Sequence, residues 1–205
     1  MLITDIAQQK NNAKRYSVFI DGEFKFGINE IDLLYYKLKT DEEISQDKYD
    51  LILNELILQK AKDKALNFLG YRIRSIKEIE DKLKDDFSAE VIEKVMEFLA
   101  EYNYIDDEKF SLSFIKDKMN LKKDGPNKIK SGLYEKGINR EVIDKIFSYY
   151  DFGEEELISE LLEKKSTRNA KISDKEKSKL FNYLVRKGFS YDEVKTGINE
   201  FFSEE

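Results

Sequence analysis

The chain has 205 residues, of which 40% are hydrophobic and 38% charged, and its 14 Phe and 12 Tyr suffice to build buried cores in one domain or two. It contains no Cys and no His, which excludes disulfides, thiolate metal sites, Ser-His and Cys-His nucleophiles and every His-based metal site. The formal net charge of -6 makes the chain as a whole a poor ligand for nucleic acid, so any contact with DNA has to be local.

No apolar run approaches the roughly 18 residues of a membrane span. The opening MLITDIAQQK lacks the basic start and apolar core of a signal peptide, so a cytoplasmic protein with no membrane association is expected. No GxxxxGK[ST] or GxGxxG phosphate loop is present. Carboxylates remain as the only route to a bound magnesium, but acids such as Glu154, Glu155 and Glu156 open a predicted helix, where they complement its dipole and face water. A non-enzymatic protein without cofactor or metal is expected.

From the N-terminus, RYSVFI and EFKFGI flank Asp21-Gly22, the two-residue turn chemistry that favours a β-hairpin, and Leu2 to Ala7 adds a third strand. Asn29 to Leu38 reads as a short helix. Ser45 then caps a long one reaching about Leu69, with Tyr49, Ile52, Leu53, Leu56, Ile57, Ala61, Ala65 and Phe68 at helical spacing. At 1.5 Å per residue it is roughly 36 Å long, enough both to join the hairpin region to a first helical module and to begin that module.

The remainder of the chain is a repeat, clearest in DGPNKIKSGLYEKGINREVIDKIF from Asp124 to Phe147. Ile129 and Leu133 line one helix, Gly137 supplies a left-handed stop, Asn139 is an N-cap, and Val142, Ile143, Ile146 and Phe147 line a second helix. Upstream by about 50 residues, Ile79, Leu83, Phe87, Ser88, Val91, Ile92 and Val95 repeat the pattern. Downstream by about 51, Leu180, Leu184, Lys187, Gly188, Phe189, Ser190, Val194 and Ile198 do so. A third helix precedes each later pair, since Phe110 and Phe114 in one align with Leu157 and Leu161 in the other.

Ser75-x-x-Glu78, Ser173-x-x-Glu176 and Ser190-x-x-Glu193 are capping-box patterns, and Pro126, the only proline, falls in a first helical turn. The expected fold is therefore mainly α, with three tandem three-helix modules behind a small β-hairpin region. The segments are 1-44 for the hairpin and short helix, 45-103 for the first module with its long linking helix, 104-150 for the second and 151-205 for the third.

Ala65-Leu66-x-Phe68-Leu69, Arg72-x-Arg74-Ser75, Tyr104-Ile105-Asp106-Asp107 with Phe110, Gly125-Pro126, Lys136-Gly137-Ile138 and Leu184-Val185-Arg186-Lys187-Gly188-Phe189 succeed one another in that order behind a hairpin with IDGE at its turn. In this order and spacing the chain resembles the RecX family, regulatory proteins of the RecA recombinase, over nearly its whole length. Ile73 departs from the proline that many members carry between the two arginines. The resemblance implies a curved, elongated array of modules lying in the groove of a RecA filament, regulating it in an inhibitory sense during homologous recombination, DNA repair and the SOS response. The implied partner is the RecA filament, with its single- or double-stranded DNA as a second contact, and a monomer is expected.

Charge is unevenly spread. Lys116 to Lys130 holds six basic residues against two acids, Lys164 to Lys187 nine against two, and Asp151 to Glu163 carries acids only. With the family in view, contacts to RecA or DNA fall to Arg72, Arg74, Lys122, Lys123, Lys128, Lys130, Arg168, Lys171, Lys175, Lys179, Arg186 and Lys187. At 100° per residue Lys175, Lys179 and Arg186 lie within about 40° of one another, opposite Leu180 and Leu184. Such a stripe is a solvated face or a contact surface, and sequence alone leaves both open. Arg72 and Arg74 are equally open, as ion-pair partners for acids such as Asp106 or Asp107 or as contacts to an acidic partner. Asp106 reads best as a cap for the helix carrying Phe110. An independent nucleic-acid-binding protein and a helical-repeat adaptor for some other protein are the rival functions.

Overall fold

Val18, Ile20, Phe26 and Ile28 alternate along two paired strands, and all four are buried, so one face of the N-terminal sheet is core. In the computed structural model, which describes residues 1–10, 12–167 and 172–203, the sheet is antiparallel with order β1 (Ile3–Gln9), β2 (Asn12–Ile20), β3 (Glu23–Asn29). Asp21 and Gly22 both take positive φ, 51° and 84°, as the tight hairpin turn requires. The turn is also tied to the first strand: the Asp21 carboxylate accepts from the Leu2 amide at 2.8 Å, and the Gly22 amide donates to Thr4 Oγ1 at 3.0 Å.

Asn29 caps α1 (Glu30–Tyr35), shorter than the expected Asn29 to Leu38, and Ser45 caps α2 (Gln46–Leu51) as expected. The long helix is not uniformly α. Ile52–Ile57 is a π-helical stretch before α3 (Leu58–Leu69). Ile52, Leu53 and Ile57 of this stretch all enter the core. The sheet and the first module share this core, which runs from Ile3 to Leu99. They are joined directly where Phe26 bridges Phe87 and the Gly27 amide donates to the Asp86 carbonyl at 3.2 Å. Asp86 also pairs with Arg15 at 3.4 Å and with Lys64.

The first module is completed by α4 (Ile76–Leu83) and α5 (Ala89–Glu101). The second holds α6 (Asp107–Asp117), α7 (Pro126–Glu135) and α8 (Arg140–Tyr149), and the third α9 (Glu154–Glu163), α10 (Asp174–Lys187) and α11 (Tyr191–Phe202). The repeat-defining positions are the cores. Ile79, Leu83, Val91 and Val95 are fully buried, as are Ile129, Leu133, Ile143 and Ile146 around Phe110 in the second module. Leu184, Val194 and Ile198 are buried with Leu161 and Leu162 in the third. Burial of each such side chain favours folding by about 1.5–3 kcal/mol.

Gly137 and Gly188 adopt the left-handed conformation at their helix ends, φ 78° and 96°. Ser173 forms the full reciprocal capping box with Glu176, while Ser190 caps through its hydroxyl, which accepts from the Glu193 amide at 3.2 Å. Ser88 takes the capping backbone conformation, but its hydroxyl is buried without a hydrogen-bond partner, unlike Asn139 at the matching position of the second module.

By compactness the chain divides once, into Met1–Asp106 and Asp107–Glu205. The sheet and first module form one unit, and the second and third modules form the other.

Candidate partner-binding surface

The basic residues nominated from sequence separate into three environments. Arg72 and Arg74 leave the end of α3 beside Phe68. The Arg72 guanidinium pairs with Glu78 at 2.9 Å and donates to the Ile73 carbonyl at 2.9 Å, so its acid is Glu78, on the following helix. Arg74 lies over the Phe68 ring, 3.9 Å from its centre, and its Nε donates to the Phe68 carbonyl at 3.4 Å. Burial lowers the Arg74 pKa, the adjacent Arg72 charge lowers it further, and Glu78 opposes both.

Lys82, on α4, reaches the same ring at 5.6 Å. With Lys60, Lys64, Asn67 and Tyr71, which is 85% exposed, it lines an open groove along α3. Lys60 is held by Asp32 and Lys64 by Asp86. Sequence reasoning missed Lys82, whose signal was its place one helical turn after Glu78 on the same helix.

The second environment is internal to the unit formed by the last two modules. Lys123, which takes φ 53° just after a π-helical stretch Lys118–Lys122, pairs with Glu160 of α9 at 2.8 Å. Hydrogen bonds from Lys123 and then Lys164 hold the Glu160 pKa down to about 2. Asp124 is only 4% exposed and accepts from Lys128 at 2.9 Å, with Lys187 at 3.6 Å. Lys187 also donates to the Lys122 carbonyl. Lys130 pairs with Asp144 at 2.7 Å, and this hydrogen bond is the main reason the Asp144 pKa is lowered. Lys123, Lys128, Lys130 and Lys187 therefore have their charges answered within the fold, while the Lys122 side chain is exposed.

The third environment is the outer face of α10. Lys175, Lys179 and Arg186 are exposed there and form no ion pair among the described residues, while Leu184 on the opposite side is buried. This is the stripe expected from the sequence. Arg168 and Lys171 lie outside the described residues. No helix among the described residues is long and apolar enough to cross a membrane.

Four family models match consecutive stretches of the chain: the regulatory protein RecX N-terminal domain over residues 1–45, and the first, second and third three-helix domains of RecX over 61–99, 106–145 and 153–196. Among relatives, the regulatory protein RecX of Clostridioides difficile is 36% identical over 201 residues, covering 97% of this chain and 95% of its own. The chain belongs to the RecX family. The RecX protein of Clostridium acetobutylicum is 34% identical, covering 98% and 97% of the two chains. A crystal structure of regulatory protein RecX aligns with 98% of both chains at a TM-score of 0.62 and 26% identity. That of RecX from Lactobacillus salivarius aligns with 70% of this chain and 96% of its own at 0.63 and 33% identity. The RecX modules match the helices described above, α3 to α5, α6 to α8 and α9 to α11.

Proposed function

We propose that this protein regulates the RecA recombinase, acting as an inhibitor that lies in the groove of the RecA-DNA filament and modulates its ATPase, strand exchange and lifetime in recombination, repair and the SOS response. The observation that carries the proposal is the agreement with proteins named regulatory protein RecX through all four successive segments, at up to 36% identity over nearly the whole chain. A non-enzymatic, cytoplasmic, monomeric protein follows from the same reading. Tandem modules suit a filament, because a ligand that meets several copies of one repeating surface gains effective concentration with each module it seats. The exposed stripe of α10 and the Arg74 edge of α3 supply local positive charge on a chain whose net charge is -6, which favours contact within a protein-DNA assembly over independent DNA binding.

The test is RecA ATPase on single-stranded DNA, titrated with this protein up to and beyond equimolar. A lowered rate or a shortened filament lifetime is expected. An unchanged ATPase and unchanged strand exchange across a wide excess would overturn the regulator and favour an adaptor role for the repeats.

A further inference from the structure

The three modules carry the same groove with three different linings. In the third module it lies between α10 and α11, about 330 Å³ in volume, with Phe181 and Ile198 as floor, Lys177 and Lys195 at the rim, and the amides of Asn182 and Asn199 between. The repeat aligns Phe181, Asn182, Lys195, Ile198 and Asn199 with Glu80, Asp81, Glu93, Met96 and Glu97 of the first module, which line the equivalent groove between α4 and α5. There the lining is acidic in balance, four carboxylates against Lys84, which pairs with Asp81 at 2.7 Å. In the second module the aligned pair is Lys130 and Asp144, which close across the groove as an ion pair of 2.7 Å with Lys130 Nζ 5.5 Å from the centre of the Phe147 ring. One groove is acidic, one is closed on itself, and one is open and basic.

In the open groove neither lysine makes an ion pair, and neither asparagine side chain a hydrogen bond, among the described residues. Phe181 is half-buried, fixed edge-on by Tyr191 with ring centres 5.0 Å apart. An apolar floor with cations at the rim and amides beside it matches a peptide that presents one apolar side chain between carboxylates, its backbone met by the amides. A polyanion fits less well. The groove lining offers two cations, fewer than a run of phosphates along a backbone would call for.

We propose that the α10–α11 groove of the third module is a docking site for an acidic-apolar segment of a protein partner, seated on Phe181 and Ile198 and held by Lys177 and Lys195. The site stands on this chain's own residues, whichever protein supplies the segment.

The probe is a short peptide of alternating Glu and Leu with blocked ends, titrated into the full chain while the side-chain amide resonances of Asn182 and Asn199 are followed by NMR. Saturable shifts at these two amides are expected. Affinity should fall about tenfold in Lys177→Glu/Lys195→Glu, and similarly when Gln replaces Glu in the peptide. Lys177→Gln/Lys195→Gln should show a smaller loss of the same kind and guards against any folding effect of the reversal. Absent shifts, equal affinity for the neutral peptide or unchanged affinity in the charge-reversed protein would each overturn the site. So would an oligo-dT that shifts both amides at the same or lower concentration, because the occupant would then be nucleic acid.

Discussion

The Gly125 amide donates to the Lys187 carbonyl at 2.7 Å, joining the start of α7 to the end of α10 across two modules. A second bond, from the Asn127 amide to the Gly188 carbonyl at 3.0 Å, runs beside it. The backbones approach too closely for side chains: a Cβ on Gly125 would lie 2.6 Å from the Gly188 carbonyl carbon, and one on Gly188 would lie 2.4 Å from Lys128 Cβ. Gly188 also holds φ 96°, a conformation that L-residues resist.

Gly188→Ala should therefore destabilise the unit by about 2–4 kcal/mol, from left-handed strain together with overpacking. Gly125→Ala, strained only by the close approach, should cost less. Chemical denaturation followed by circular dichroism measures both, and a Gly188→Ala protein as stable as the parent would show that the clasp yields freely.

Truncation should respect the clasp. A chain ending near Tyr150 cuts between repeat units, but it removes the Lys187 carbonyl and Glu160 and strips Gly125 and Lys123 of their partners. A chain ending at Asp106 breaks at the compactness boundary instead. The shorter fragment is expected to unfold cooperatively with the sheet and first module intact. The longer one should show protease-sensitive α6 to α8, and equal protection of its first and second modules would refute the clasp as a coupling device.

How much of the fold was legible in the sequence depended on whether the signal was periodic. Ile129, Leu133, Leu180 and Leu184 recur at helical spacing, and Ser173 with Glu176 announces a cap, so modules and helix starts could be read directly. The π-helical stretch at Ile52–Ile57 could not, since Ile52, Leu53, Leu56 and Ile57 satisfy an α-helical pattern equally well. Gly188 was legible as a helix stop but not as a partner of Gly125, because two backbones meeting across some sixty residues leave no local trace. The ion-pair partners of the charge runs were hidden for a related reason. Lys123 and Lys187 count as free cations along the chain, yet Glu160 and Asp124 reach them only through the fold.

Acid should loosen the same junction from another side. Glu160 has its pKa depressed from 4.5 to about 2 by Lys123 and Lys164, so its contribution is present in full above about 4.5 and is lost as pH falls towards 2. The Glu160 carboxylate should still be ionised at pH 3.5, where an ordinary glutamate is mostly protonated. Carbon-13 NMR of its carboxyl through an acid titration checks this. In Lys123→Met the midpoint should rise towards the ordinary value, and a midpoint near 4.5 in the parent protein would mean that the Lys123 bridge does not persist in solution.

Reversing charge on the two classes of lysine should have opposite consequences. Lys175, Lys179 and Arg186 face outward from Leu184 without ion-pair partners among the described residues, so changing all three to Glu should leave helix content and thermal midpoint close to those of the parent. If this face meets the RecA-DNA filament, binding should weaken, and removal of each phosphate-binding cation should flatten the dependence of log affinity on log salt by about one unit. Lys128 and Lys187 flank the buried carboxylate of Asp124, so Lys128→Glu/Lys187→Glu should instead destabilise the unit by about 3–5 kcal/mol by leaving a buried charge unpaired. Filament binding by anisotropy, together with thermal unfolding of both variants, separates the cases. A triple variant on α10 with unchanged affinity and salt slope would return the stripe to a solvated face, and a stable Lys128→Glu/Lys187→Glu protein would mean that Asp124 is not held by these two lysines.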